Sequence, residues 1–163
     1  MTMSDEYEKY DDVLDNAVSL LKANADIKTL CKSSDDSIRV YDNDAQIFAY
    51  NQFPGITVEI IDINPHETQP IGHVNKSIKT VIRGYVEVLD AATVGRQRLQ
   101  LAGAIERTFT DNFTCNGVTW DTEWMGTKIR YHIDKTPEGD IGLFLGYCEV
   151  TFIFKALIQR FSS

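Results

Sequence analysis

The stretch Ile78-Lys79-Thr80-Val81-Ile82-Arg83-Gly84-Tyr85-Val86-Glu87-Val88-Leu89 decides the fold class. Ile78, Thr80, Ile82, Val86 and Val88 fall on one side of an extended chain, and Lys79, Val81, Arg83, Tyr85 and Glu87 on the other. Side chains alternate along a strand with period two, so this stretch reads as a strand with one face on a core. It runs directly into a different period. From about residue 91 to 113, Val94, Leu101, Ala102, Ile105 and Phe109 recur at helical spacing, with Asp90 placed as N-cap. Arg96, Gln97, Arg98, Gln100, Glu106 and Arg107 cover the remaining faces of that helix.

Upstream, Phe53-Pro54-Gly55 precedes another alternating strand, with Ile56, Val58 and Ile60 on one face and Thr57, Glu59 and Ile61 on the other. Between the two strands, Asn64 to Ser77 is a long polar connection holding Pro65, Pro70 and Gly72, which reads as a loop or the arm of a hairpin. The pair it joins is expected to be antiparallel. The N-terminal segment, about 5–30, is helical: Tyr10, Leu14, Ala17, Val18 and Leu21 share a stripe, acidic residues open it and Lys22 and Lys28 close it. The periodicity weakens after Asn24, so Ile27 to Cys31 reads as a separate last turn. Ser37 to Tyr41 is a short candidate strand.

Downstream, Asn116-Gly117 turns the chain, Val118, Trp120 and Trp124 follow, and a strand is expected from Thr127 to Asp134. Pro137-Glu138-Gly139-Asp140 is a turn, and the final strand, Ile141 to Phe154, places Phe144, Cys148, Val150, Phe152 and Phe154 on one face. The expectation is an α+β fold: an antiparallel sheet of four to six strands packed against two main helices, with residues 1–163 forming one domain.

Lys and Arg number 16 against 24 Asp and Glu, a formal net charge of −8 over 163 residues. A general binder of nucleic-acid backbone or anionic lipid needs concentrated positive charge, so both classes are disfavoured. The acidic start lacks the basic and apolar regions of a secretory signal, and no apolar run reaches membrane-spanning length. Synthesis and folding in cytoplasm, without membrane attachment, are therefore expected. Cys31, Cys115 and Cys148 are odd in number and far apart, which argues against a disulfide framework. Cys148 reads as a small core hydrophobe.

No phosphate-binding glycine loop occurs; Gly142 and Gly146 lie within a strand, where glycine marks a bulge or a close approach by a neighbouring chain. His66, His73 and His132 show no metal-ligand spacing, and His66 and His73 share a polar segment with Glu67. Cys115 and His132 flank one predicted hairpin, but nothing in the local sequence lowers the thiol pKa. No carboxylate pair stands out against so acidic a background, which leaves a glycosidase-like pair open. Trp120, Trp124 and Tyr131 are aromatic candidates for packing or stacking. Arg96, Arg98 and Arg107, with Lys79 and Arg83, read as a solvated face or as a contact with an acidic neighbour. Neither catalysis, a cofactor nor a metal is expected.

Four stretches resemble the tail terminator (tail completion, head–tail joining) proteins of long-tailed bacteriophages. They are the helix Val13 to Lys22, the strand Phe53 to Ile60, the strand Gly84 to Leu89 with the helix ending Ile105 to Phe109, and the apolar strand Gly146 to Phe154. The likeness lies in the order and length of elements. It implies a structural virion protein at the head–tail junction. As a ring homo-oligomer, a hexamer in that family, it would cap the tail tube and halt tube polymerisation. It would dock to the head connector or head-closure protein and let DNA pass without specific binding. Under this reading the final strand and the Trp120 to Trp124 region are the candidate contacts, and the 64–77 segment reaches a neighbouring ring. Trp120, Trp124, Glu149, Lys155, His66 and His73 are the candidate interaction residues. Changing Glu149 and Lys155 is expected to perturb assembly more than folding. A head-closure or tube protein, or a ligand-binding domain or enzyme with a pocket near Trp120, Trp124 and His132, is the alternative.

Overall fold

A computed structural model of the chain describes residues 4–42, 53–68, 73–88, 91–135 and 141–159. The elements run in the order α1 (Asp5–Ala23), α2 (Ala25–Leu30), β1 (Val40–Tyr41), β2 (Gly55–Thr68), β3 (His73–Val88), α3 (Ala91–Asp111), β4 (Asp121–Lys135) and β5 (Ile141–Gln159). The fold is α+β.

Helix α1 begins where the Ser4 side chain accepts a hydrogen bond from the Tyr7 backbone N–H at 3.2 Å, and Asp5, Glu6 and Glu8 oppose the positive end of its dipole. Asn24 explains the break after it. Its side-chain oxygen accepts from the N–H groups of Asp26 (2.9 Å) and Ile27 (3.1 Å), so it caps α2 while ending α1. The same side chain donates its amide to Thr108 Oγ1 at 3.0 Å, which ties the helical junction to α3.

Among the described residues the sheet has five strands in the order β1-β2-β3-β5-β4. All pairs are antiparallel except β1 with β2, where Val40 and Tyr41 align parallel to Ile56 and Thr57, so the sheet is mixed. The expected N-cap Asp90 and the turn 137–140 lie outside the described residues.

Helices cover one face. Val13, Ala17 and Leu21 of α1, Ile27 of α2 and Val94, Leu101, Ile105 and Phe109 of α3 pack on Ile56, Val58, Ile78, Ile82, Val86, Cys148, Val150, Phe152 and Phe154. Each of the larger side chains, fully removed from water, contributes on the order of 1.5–3 kcal/mol. The strand faces are those that the alternation predicts. Gly84 and Gly146 let α3 lie close: a Cβ on Gly84 would sit 3.1 Å from Cys148 Sγ and 3.2 Å from Leu101 Cβ, and one on Gly146 would collide with Val94 Cγ1.

Three expectations are corrected. The segment 64–77 is not a loop throughout: Asn64–Thr68 and His73–Ser77 are strand, paired Asn64 to Ser77, Pro65 to Lys76, Glu67 to Asn75 and Thr68 to Val74. The physical reason lies on the far side of β3, where Asn75, Lys76 and Ser77 align with Leu157, Ala156 and Lys155 of β5. That neighbouring strand templates polar residues of low β-propensity into the ladder. Strand β4 starts at Asp121, not Thr127, with an irregularity between Trp124 and Gly126 where Gly126 takes φ 127°. An L side chain disfavours that conformation, so the glycine permits the bulge. Last, β5 extends to Gln159 and is interior, paired with β3 on one side and β4 on the other. From Phe144 to Lys155 it is paired on both sides and has no free edge there to offer a partner. Helix α3 closes at Asp111, and residues 112–119 turn through Cys115 (φ 48°), Asn116 (φ 59°) and Gly117 (φ 83°).

Candidate functional site

Register places the candidate residues on particular faces, because Cα partners on adjacent strands point the same way. On the face opposite the helices, side chains form rows across the sheet. An aromatic row joins Phe53 to Tyr85 (ring centroids 6.4 Å, edge-on) and Tyr85 to Tyr147 (5.6 Å, stacked). The next row alternates in charge. Arg83 Nη1 donates to Glu59 Oε2 at 2.7 Å, Arg83 Nε lies 4.0 Å from Glu149 Oε2, and Arg130 Nε donates to Glu149 Oε1 at 2.9 Å. At the far end of the sheet Lys155 Nζ lies 3.5 Å from Asp121 Oδ2 and 3.6 Å from Glu123 Oε2, and 5.4 Å from the Trp120 ring centre.

Glu149 and Lys155 therefore sit on one face of β5, each between oppositely charged groups of neighbouring strands. Their side chains keep only 20% and 18% of their exposure, against 51% for Glu59 and 47% for Arg130. Exposed ion pairs contribute about 0–1 kcal/mol each. The rows consequently order the face more than they hold the fold together.

The aromatic candidates lie at the edge. Trp120 precedes β4, and its backbone N–H donates to the Lys155 carbonyl at 2.9 Å. Trp124, 54% exposed, pairs with Phe152 and so stands on the helix-side face, where its indole N–H donates to Thr127 Oγ1 at 3.2 Å. Thr127 in turn donates to the Glu106 carboxylate of α3. Phe113, Met125 and Ile129 are also exposed, so β4 and the turn before it carry an apolar stripe. Large exposed apolar groups gathered on one element mark an interaction surface. The backbones of His66, His73 and His132 belong to β2, β3 and β4, but their side chains lie outside the described residues, as does that of Tyr131.

The sequence reading missed Arg83 and Arg130 as partners of Glu149, and Asp121 and Glu123 as partners of Lys155. The signal existed only in register, since these residues come from β3 and β4 and not from β5 itself. Two described grooves lie away from Trp120 and Trp124, while the side chain of His132, the third residue of the pocket expected there, lies outside the described residues. One runs between α2 and α3, lined by Asp26, Leu30, Leu99, Gly103 and Arg107 among others, and another between α1 and β1, lined by Asp15, Lys22 and Tyr41 among others. Neither includes a tryptophan. The basic residues of α3 are engaged locally: Arg107 Nε lies 3.3 Å from Asp111, and Arg98 donates to the Arg130 carbonyl.

All three cysteines are buried and free. Burial pushes the thiols of Cys31 and Cys115 up to about 12 and that of Cys148 up to about 11. A thiol held protonated is a poor nucleophile. Native protein at pH 8 is expected to react slowly with a thiol reagent and to release its full count of three only on denaturation. A fast-reacting native thiol would contradict this burial. Among the described residues no cluster of three or more His, Cys, Asp or Glu is placed to hold a metal, and no helix is long and apolar enough to cross a membrane.

Comparison with known proteins yields no matching family model and no matching curated protein. Among solved structures, a chain from the virion of a native gene transfer agent particle is similar at 13% sequence identity, with a TM-score of 0.40 over 88% of this chain and 93% of that one.

Proposed function

We propose that this chain is a structural protein of a phage-like virion, a tail terminator that assembles as a ring on the last ring of a tail tube. In this reading it halts tube polymerisation, presents the docking surface for the head connector and lets DNA pass without specific binding. It works by assembly, without catalysis or a cofactor, is made in host cytoplasm and resides at the head–tail junction.

The observation that carries the reading is a single sheet with two opposite lateral edges, one of them lined by Trp124, Met125 and Ile129. A closed ring needs two different, complementary surfaces on each subunit. Edges of one sheet supply such a pair. The element order also supports it: an opening helix, a long hairpin, a long helix and a second long hairpin match the four stretches of the resemblance. Excess acidic charge suits a conduit that must not hold DNA. A tube protein shares these edges but stacks without limit, whereas a terminator stops at one ring.

Light scattering across concentration, alone and with purified tail tubes, tests this. A single closed species, or binding to tube ends that stops their growth, is expected. Open stacks would point to a tube protein, and a monomer indifferent to tubes would overturn the virion reading. The double variant Glu149→Ala, Lys155→Ala is expected to lower ring formation while shifting the urea midpoint by no more than about 1–2 kcal/mol equivalent. Unchanged ring formation in that variant would remove the two residues from the assembly surface.

A further inference from the structure

We infer that copies of this chain join edge to edge, the free edge of β4 in one copy pairing antiparallel with the outer edge of β2 in the next. This rests on the ring reading and names the surfaces that close the ring.

Among the described residues both edges are open, β2 over residues 58–64 and β4 along Asp121–Lys135. On its outer side β2 is paired with β1 only at Ile56 and Thr57; from Val58 onward no strand partner exists among the described residues. Ile61, Asp62, Ile63, Asn64 and Pro65 are all exposed. Pro65 has no N–H to donate, so an added strand is confined to residues 58–64. On the opposite side of the sheet, β4 is paired, among the described residues, only with β5. A long exposed edge is normally blunted because it recruits other strands, yet this one carries aromatic and aliphatic groups.

Strand direction permits the joint. β2, β3, β5 and β4 are successively antiparallel, so β4 runs opposite to β2. A copy rotated about an axis along the strands brings its β2 beside β4 with antiparallel polarity and the same face outward. No flip of either copy is needed.

The side chains agree face by face. The charged row reads Glu59, Arg83, Glu149, Arg130 from the β2 edge to the β4 edge. It begins with an acid and ends with a base, so the next copy's Glu59 continues the alternation without a like-charge contact. Setting Glu59 beside Arg130 places Ile60 beside Ile129 on the other face. Past the irregularity between Ile60 and Asp62, it brings Asp62 beside Lys128. Opposite charges and apolar groups paired across strands both stabilise a ladder. In a chain of net charge −8, a base-bearing edge facing an acid-bearing edge also selects this contact over others.

The direct test is a cross-link. The double variant Asp62→Cys, Lys128→Cys, mildly oxidised, is expected to give a ladder of disulfide-linked species on a non-reducing gel, ending at a closed ring. Each single variant should give dimers at most. The native cysteines are buried and do not contribute. In parallel, Lys128→Glu or Asp62→Lys alone should raise the concentration for half-association about tenfold, and an equimolar mixture of the two should restore it. Both positions are exposed, and circular dichroism checks that the fold is kept. Absence of a ladder while the wild-type chain still forms rings would overturn the edge pairing and leave the ring reading standing. Absence of a ladder together with a wild-type chain that is monomeric and indifferent to tube ends would overturn both.

Discussion

Replacing Gly146 with valine is expected to cost at least about 3 kcal/mol and to leave little folded protein at physiological temperature. Gly146 is buried in β5 directly under α3, where an added Cβ would overlap Val94 Cγ1 and lie 3.1 Å from Arg98 Cδ. Val94 cannot yield cheaply. It is fully buried and β-branched, and the helix that carries it is anchored further along by Leu101, Ile105 and Phe109. Relief would require lifting α3 from the sheet, which uncovers the core beneath it. Gly146→Ala should show the same sign at about 1–3 kcal/mol, measured as a shift in the urea midpoint. Gly103→Ala is the control: nothing lies within 4 Å of a Cβ there, and removing glycine from a helix interior should raise stability by about 0.5–1 kcal/mol. A neutral Gly146→Ala would mean that α3 does not sit this close to β5.

Phe109→Ala is expected to destabilise by about 3–5 kcal/mol. Phe109 is fully buried at the C-terminal half of α3, with ring centroids 5.0 Å from Phe152 and 5.3 Å from Phe154. Truncation removes the shared partner of two strand residues and leaves a cavity that a strand paired on both sides cannot collapse to fill. Phe109→Leu keeps most of the volume and should cost about 1.5 kcal/mol or less. Phe113→Ala, four residues on in the turn after α3 and exposed, should change stability by no more than about 0.5 kcal/mol while weakening assembly. Equilibrium urea unfolding of the three variants separates core from surface. Equal effects at Phe109 and Phe113 would contradict this division.

Alternation in Ile56 to Ile60, in Ile78 to Val88 and in Gly146 to Phe154 was legible because each strand has one face on a core, and burial imposes period two. The helix stripe from Val94 to Phe109 was legible for the matching reason at period 3.6. The polar half of the 62–79 hairpin was not, since its backbone ladder is set by the neighbouring β5 and not by its own side chains. Trp124 showed itself as an aromatic in a polar context, but its place on an edge strand came from strand order. Glu149 and Lys155 could be picked out as charges in an apolar strand, yet their partners could not.

By itself, then, the sequence determined the element types outside 64–77 and 121–126, the core faces of the alternating strands, the burial of Cys148 and the acidic charge, because each follows from local periodicity or from composition. Only the tertiary structure decided that β5 lies inside the sheet, that β2 and β4 bear its edges, and that Glu59, Arg83, Glu149 and Arg130 form one alternating row. Strand order and register are long-range pairings between stretches far apart in the chain, and no local pattern encodes which strand will lie beside which.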